Sequence, residues 1–324
     1  MREKAWKDVL LSQLKALGQQ DDLESQPSCE FFVLGTRIRF FLVEESFRLS
    51  ELQFLKKYYE LFSVPEQPIS STVDIYHMQS PQALRDFSHE FWNVTHPFEE
   101  KIILDEGELI WERDFLALKK SSQRYLVTSA SLGEESTDIL DNLINAILRK
   151  ELLHQKALLF HAAAVKVHGV SWVFFGPSGV GKSTLAKFSS ALGFSVMASD
   201  QVFIQLQGEC PVCYATPTCN PDIPRDKTIW QVGATPLYGL IGLKQKGQNS
   251  LKKRTALELY PDFLREMISF SEREAALCLG LAQKVLQGAS FLAEMSYIKG
   301  ENFWPWLLKY TGKVNGTKNQ EKTL

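Results

Sequence analysis

Gly176-Pro177-Ser178-Gly179-Val180-Gly181-Lys182-Ser183, entered through the apolar run Trp172-Val173-Phe174-Phe175, is the stretch on which the reading of this chain turns. The octet satisfies G-x-x-x-x-G-K-[ST], and its flanks read as a strand before it and a helix after it, the setting in which the pattern has physical meaning. Glycine enters backbone conformations that other residues avoid, so a loop holding three of them can aim several N–H groups at one anion. A helix starting near Lys182 adds its N-terminal donors and its dipole. Chance would produce the octet in about one chain in a hundred of this length. Gly176, Ser178, Gly179, Val180, Gly181, Lys182, Ser183 and Thr184 are therefore the candidate nucleotide-binding residues. Lys182 would meet the β- and γ-phosphates of ATP, Ser183 would ligate Mg²⁺, and Thr184 would support the α-phosphate.

Working outward from the loop, the run Phe194-Ser195-Val196-Met197-Ala198-Ser199-Asp200 reads as a strand that ends in an acid. Asp200 is the first acidic residue after the loop and is the candidate second metal ligand beside Ser183; a helix cap or turn aspartate is its plainer alternative. On the other side, residues 157–167 and 171–175 read as two strands joined by a turn at His168-Gly169. His161 interrupts the first of them, between Ala157-Leu158-Leu159-Phe160 and Ala162-Ala163-Ala164. Taken alone it reads as a satisfied core histidine. The hairpin brings it close to the loop, which makes it a candidate contact to phosphate or acceptor and a candidate proton carrier. The candidate catalytic residues are thus His161, Lys182 and Asp200.

Farther out the chain divides by texture. Residues 1–136 hold short strand-like runs at 31–34, 37–43, 72–77, 107–112, 115–118 and 124–128, with a helical stretch at 50–62. The last three lack crossover helices between them and suggest an antiparallel sheet, so this part reads as a smaller α+β domain. A helical stripe over 137–154, with Thr137 or Asp138 as cap, opens a second domain running to residue 312. There strand and helix alternate as in α/β architecture with a largely parallel or mixed sheet. The polar stretch 313–324 reads as a disordered tail, and residues 1–20 as a short amphipathic helix.

Composition excludes several classes. The 324 residues carry a net charge of −2 with 44% hydrophobic and 23% charged residues, which favours neither nucleic acid nor an anionic membrane as partner. No apolar run approaches the ~18–20 residues that span a bilayer, so a cytoplasmic location is expected. Cys210 and Cys213, with Cys219 beyond, have knuckle spacing but no fourth ligand, and read as ordinary reduced thiols. Arg225 and Lys227 are cations near the loop in sequence that read equally as a solvated charged segment.

Three strings together carry a resemblance: Phe160-His161-Ala162-Ala163-Ala164, Phe175 through Ala186, and Ala198-Ser199-Asp200-Gln201-Val202. They resemble the catalytic domain of HPr kinase/phosphorylase and its kinase-like relatives, a family related to phosphoenolpyruvate carboxykinase. Residues 236–245 and Asn302-Phe303-Trp304-Pro305-Trp306 resemble later parts of the same domain, so the resemblance covers about residues 152–310. It implies an α/β P-loop kinase domain, nucleotide at the loop, His161 near the transferred phosphate, and homo-oligomerisation. It also implies an acidic pair after the strand that follows the loop. Here the first member of that pair is Ser199, which cannot accept a proton as a carboxylate does. His161 could take over, or Asp200 could do both jobs. The expected activity is ATP-dependent transfer of a phosphoryl group to a hydroxyl, by resemblance a serine, of a peptide or protein acceptor. A nucleotide-binding sensor or scaffold without efficient transfer, and a small-molecule kinase or NTPase, are the alternatives.

Overall fold

The computed structural model describes residues 26–43, 49–65, 67–79, 102–104, 107–112, 115–121, 123–129, 137–217, 226–245, 248–268, 272–298 and 300–310, with Ser12 and Ile223. It divides into two compact units, Met1–Gln155 and Lys156–Leu324. The helix at 137–153 thus falls in the first unit, whereas the sequence reading opened the second domain with it. The expected N-terminal helix and C-terminal tail, Cys219 and Arg225 lie outside the described residues.

In the first unit, β1 (Ser28–Val33) and β2 (Thr36–Leu42) form an antiparallel hairpin. Its two turn residues, Leu34 and Gly35, both have positive φ (49° and 68°), matching the twist of the flanking strands. Helix α1 (Leu49–Tyr58) and a 3₁₀ turn (Glu60–Phe62) lead to β3 (Ser71–Gln79). Then come β4 (Ile102–Leu104), β5 (Gly107–Glu112), β6 (Phe115–Ser121), β7 (Arg124–Ser129) and α2 (Thr137–Leu153). The seven strands lie in the order β1-β2-β3-β7-β6-β5-β4. The pairs β5–β6 and β6–β7 are antiparallel, as expected, but β2–β3 and β3–β7 are parallel. The antiparallel expectation, drawn from the last three strand-like runs, holds for them; α1 lies in the β2–β3 connection, and a crossover of that kind brings a strand back in the same direction. Phe31, Ile38, Phe40, Ile75, Tyr125 and Val127 are buried, as are Leu140, Leu143, Ile144 and Ile147 of α2. Tyr58 donates to Asp141 at 2.6 Å and Lys119 to Glu151 at 2.6 Å, tying α2 to the rest.

The second unit opens with β8 (Ala157–Val167) and β9 (Val170–Phe175), an antiparallel pair, followed by α3 (Lys182–Ala191). Next are β10 (Ser195–Ala198), β11 (Gln201–Gln207), β12 (Cys210–Ala215), β13 (Ala234–Leu243) and β14 (Ser250–Lys253). Helices α4 (Ala256–Arg265) and α5 (Glu272–Gly288), β15 (Phe291–Ser296) and α6 (Trp304–Tyr310) complete it. The eight-stranded sheet is mixed, with parallel pairing confined to β9–β13 and β13–β15. This unit therefore matches the mixed alternative of the expected sheet.

An aromatic core backs the segment that the sequence singled out. Trp304 meets Trp172 and Phe174 edge-on, with ring centroids 6.1 and 5.8 Å apart. All three side chains are buried, each contributing on the order of 2–3 kcal/mol of apolar burial. The Trp304 indole donates to Ser189 Oγ at 2.9 Å, and that hydroxyl donates to the Leu185 carbonyl at 2.8 Å. Helix α3 is thereby fixed from behind by α6. Cys210 is exposed and Cys213 buried on β12; residues three apart on a strand point to opposite faces, which dissolves the knuckle. Among the described residues no helix is long and apolar enough to cross a membrane.

Candidate functional site

Strands β9, β13 and β15 run parallel and end at one sheet edge, the place where α/β sheets offer a crevice to a ligand. Three features sit at that edge: the loop after Phe175, Gln245 after β13, and Tyr297 after β15. Gly176 and Gly181 have φ of +147° and +107°. A Cβ on Gly181 would lie 2.6 Å from the Tyr297 hydroxyl, and one on Gly176 would lie 2.9 Å from the Leu243 carbonyl. The two outer glycines of the octet are thus required both by backbone conformation and by close approach. Gln245 Nε2 donates to the Gly179 carbonyl at 3.0 Å and Tyr297 donates to the Gly181 carbonyl at 2.8 Å. Burial pushes the Tyr297 hydroxyl up to about 12, so it holds its proton and remains a donor. These two side chains occupy loop carbonyls.

Helix α3 begins at Lys182 with Gly181 as N-cap, without a side-chain cap and without an acid in its first turn. Its N-terminal end therefore carries the positive end of the helix dipole with no capping side chain and no acid of its own first turn. Lys182 is buried and donates to the Gly176 carbonyl at 2.5 Å and the Pro177 carbonyl at 3.3 Å. Its burial lowers its pKa below the usual lysine value, opposed by the charges of Glu266 and Asp200. Ser183 and Thr184 are half-buried, Val180 is buried, and Ser178 and Gly179 are exposed.

His161 lies where β8 changes partners on both edges. On one edge Met267 bridges Phe160 and the Ile268 N–H donates to the Leu159 carbonyl at 3.0 Å, whereas β9 takes over at Ala162. On the other, β11 pairs up to His161 and β10 resumes at Ala164, with the Ser199-Asp200 bend between them. Such a switch opens the sheet locally, and the side chain of His161 is 33% exposed, so it is not the satisfied core histidine of its plainer reading. Its Nε2 lies 3.0 Å from Asp200 Oδ1. That contact holds the Asp200 carboxyl below the usual carboxylate range, opposed by burial and aided by the charges of His161 and Lys182. Ser199 is buried and Asp200 exposed.

The sequence reading missed Glu266. It is the C-cap residue of α4, and its backbone carbonyl accepts the His161 N–H at 2.7 Å. Its carboxylate lies 3.3 Å from His161 Nδ1 and 3.8 Å from Lys182 Nζ, with the side chain 10% exposed. A carboxylate at a helix C-terminus faces the negative end of the dipole. That misplacement was the available sequence signal, although 84 positions separate Glu266 from Lys182. The structure thus joins His161, Lys182 and Asp200, which the sequence proposed, with Glu266, which it did not. Lys227 is exposed in the turn after Asp226. Among the described residues no cluster of three or more His, Cys, Asp or Glu is arranged to hold a metal by itself.

No protein-family model matches the chain, and no curated protein does. Among solved structures, that of the Hpr(Ser) kinase/phosphatase from Coxiella burnetii is similar over 48% of this chain and 89% of that chain. The identity is 10% and the TM-score 0.29, a distant resemblance.

Proposed function

We propose that the second unit is a P-loop phosphotransferase that moves the γ-phosphoryl group of ATP to a hydroxyl acceptor, a serine of a peptide or protein. The observation that carries this reading is the convergence at one sheet edge of a buried lysine at an uncapped helix start and the His161–Asp200 pair at 3.0 Å. In this reading the backbone N–H groups from Ser178 to Thr184 bind the phosphates, and Lys182 turns from the Gly176 carbonyl toward the β- and γ-oxygens. The hydroxyl of Ser183 and the carboxylate of Asp200 are hard oxygen donors that fit Mg²⁺, whose remaining ligands come from phosphate and water. Bound there, the ion neutralises charge on the β- and γ-phosphates. The acceptor oxygen forms a bond to the γ-phosphorus as the bond to the β,γ-bridging oxygen breaks, ADP leaves, and the acceptor proton passes to His161. Most of the catalysis is positioning and charge neutralisation, which suits a site with one full cation and many backbone donors.

The test pairs binding of a fluorescent ATP analogue, with Mg²⁺, to transfer of γ-labelled phosphate onto serine-bearing peptides, for the wild type and Lys182→Ala. Labelling that vanishes in Lys182→Ala is the expected result. Tight binding without labelling over a broad acceptor panel would move the reading to a nucleotide sensor, and an absence of binding would remove it altogether.

A further inference from the structure

Lys182 is folded back into its own loop. Its side chain is 6% exposed. The ammonium carries three protons, and it is met by the Gly176 carbonyl at 2.5 Å, the Pro177 carbonyl at 3.3 Å and the Glu266 carboxylate at 3.8 Å. The Pro177 carbonyl also accepts the Val180 N–H at 3.2 Å, so one oxygen ties both the cation and an amide of the loop. These two carbonyls belong to the loop and can move with it, whereas Glu266 cannot. It is the C-cap residue of α4, and its segment is fastened along β8 by His161 N–H to the Glu266 carbonyl at 2.7 Å and Ile268 N–H to the Leu159 carbonyl at 3.0 Å. With the Glu266 side chain 10% exposed, little water screens its charge from Lys182. Asp200, the other acid whose charge acts on Lys182, is 53% exposed and is assigned to the metal ion in the reading above.

We infer that Glu266 is a built-in competitor of the nucleotide for Lys182, and that it sets how tightly the loop holds ATP and how readily it releases ADP. This rests on the nucleotide-binding part of the phosphotransferase reading. To reach the β- and γ-oxygens, the ammonium exchanges one anion, the anchored Glu266, for another, the phosphate chain. It also leaves the carboxylate facing the incoming negative charge. Both effects oppose binding: the first because the lysine must be freed before it can serve, the second because like charges repel in a poorly screened place. After transfer the γ-phosphoryl group departs on the acceptor, one of the two phosphates that Lys182 meets is gone, and Glu266 is still in place to take the lysine back. A carboxylate here trades affinity for turnover, which is a physical reason to keep an acid beside a phosphate-binding lysine.

The test measures the affinity of the full-length protein for a fluorescent ATP analogue and for ADP, each with Mg²⁺, in the wild type, Glu266→Gln and Glu266→Asp. Glu266→Gln keeps the size of the side chain and removes its charge, and is expected to tighten both nucleotides about tenfold. Glu266→Asp keeps the charge and is expected to stay nearer the wild type. Loss of a merely structural contact leaves binding unchanged or weakens it, so a gain is the mark of a competitor. A second measurement needs no variant. In a crystal structure of the wild type with a non-hydrolysable ATP analogue and Mg²⁺, Lys182 Nζ is expected within hydrogen-bond reach of the phosphates and outside ion-pair reach of Glu266. Equal or weaker binding by a Glu266→Gln protein whose denaturation midpoint matches the wild type overturns the inference, as does a complex in which Lys182 still pairs with Glu266; in either case nucleotide binding by the wild type leaves the phosphotransferase reading standing. Failure of both the wild type and Glu266→Gln to bind nucleotide overturns that reading, and the inference with it.

Discussion

Each unit places one histidine in the middle of an apolar strand, and the two have opposite fates. His77 on β3 is wholly buried, its Nε2 lies 2.7 Å from Ser129 Oγ, and its ring stacks on Phe40 with centroids 5.6 Å apart. Burial drives its pKa down to about 3 from the ordinary 6.5, so it is a neutral hydrogen-bonding piece of core. His161 on β8 sits where the strand changes neighbours, a third exposed, with a carboxylate oxygen at each ring nitrogen. In sequence the two are alike, a polar residue inside a run of strand-forming residues. What separates them is the continuity of the sheet: His77 is paired on both edges, with β7 running past it to Gln79 and β2 reaching it at Leu42, and no other strand takes over there, whereas β8 changes partner on both edges around His161. A histidine becomes chemically available where strand pairing is interrupted.

The sharpest way to break this comparison is to remove each ring in turn. His161→Gln is expected to lower kcat for phosphoryl transfer by about 10²–10⁴-fold with little change in the denaturation midpoint. His77→Gln is expected to do the reverse, leaving kcat near wild type and costing about 1–3 kcal/mol of stability through a disturbed buried hydrogen bond. A His77→Gln protein as inactive as His161→Gln would show that the two rings are not separable in this way.

A second effect follows from the depressed pKa of His77. The fold accepts the neutral ring, whereas the unfolded chain binds a proton below 6.5. Stability is therefore whole above about pH 6.5 and falls as the pH drops toward 3, with a slope of up to about 1.4 kcal/mol per pH unit. His77→Gln should lack this part of the slope. Cys29 in the first unit and Cys213 in the second report which unit yields, because burial pushes their thiols up to about 11 and about 12 and keeps them from reagent while folded. In variants keeping one of these cysteines alone, a pyridyl disulfide, which reacts in acid, should label Cys29 at a higher pH than Cys213. Simultaneous labelling would mean that His77 is not the first group to fail.

The loop, its strand and its helix were legible because their signals are local. Three glycines, a lysine and two serine hydroxyls stand in eight residues, and the helix starts at Lys182 as read. Asp200 was legible as the first acid beyond the next strand. Glu266 was not, since what brings it to His161 is the pairing of residues 266–268 along β8, a contact across more than 100 positions. The parallel strands of the first unit escaped for the same reason: strand existence is written in local residue type, but strand direction depends on what the connection crosses. His161 stands between these cases, visible as an anomaly in its strand and decided only by the sheet around it.

The smallest expected effect concerns the loop itself and asks whether Gly181 is required by its backbone or by its neighbour. Tyr297→Phe removes one donor from the Gly181 carbonyl, which still accepts the Leu185 N–H at 2.9 Å. The loss should be about 1 kcal/mol, near fivefold in affinity for the ATP analogue. Gly181→Ala faces two obstacles, a φ of +107° and the tyrosine hydroxyl 2.6 Å from the new Cβ, and should lose roughly 1–3 kcal/mol of binding through strain alone. The double variant separates them. If the clash dominated, taking away the hydroxyl would rescue the alanine; a dominant backbone term leaves the two losses additive. Additivity is the expected outcome, because a tyrosine ring can shift by a few tenths of an ångström whereas an alanine cannot relax φ without turning the amides that follow it away from the phosphate.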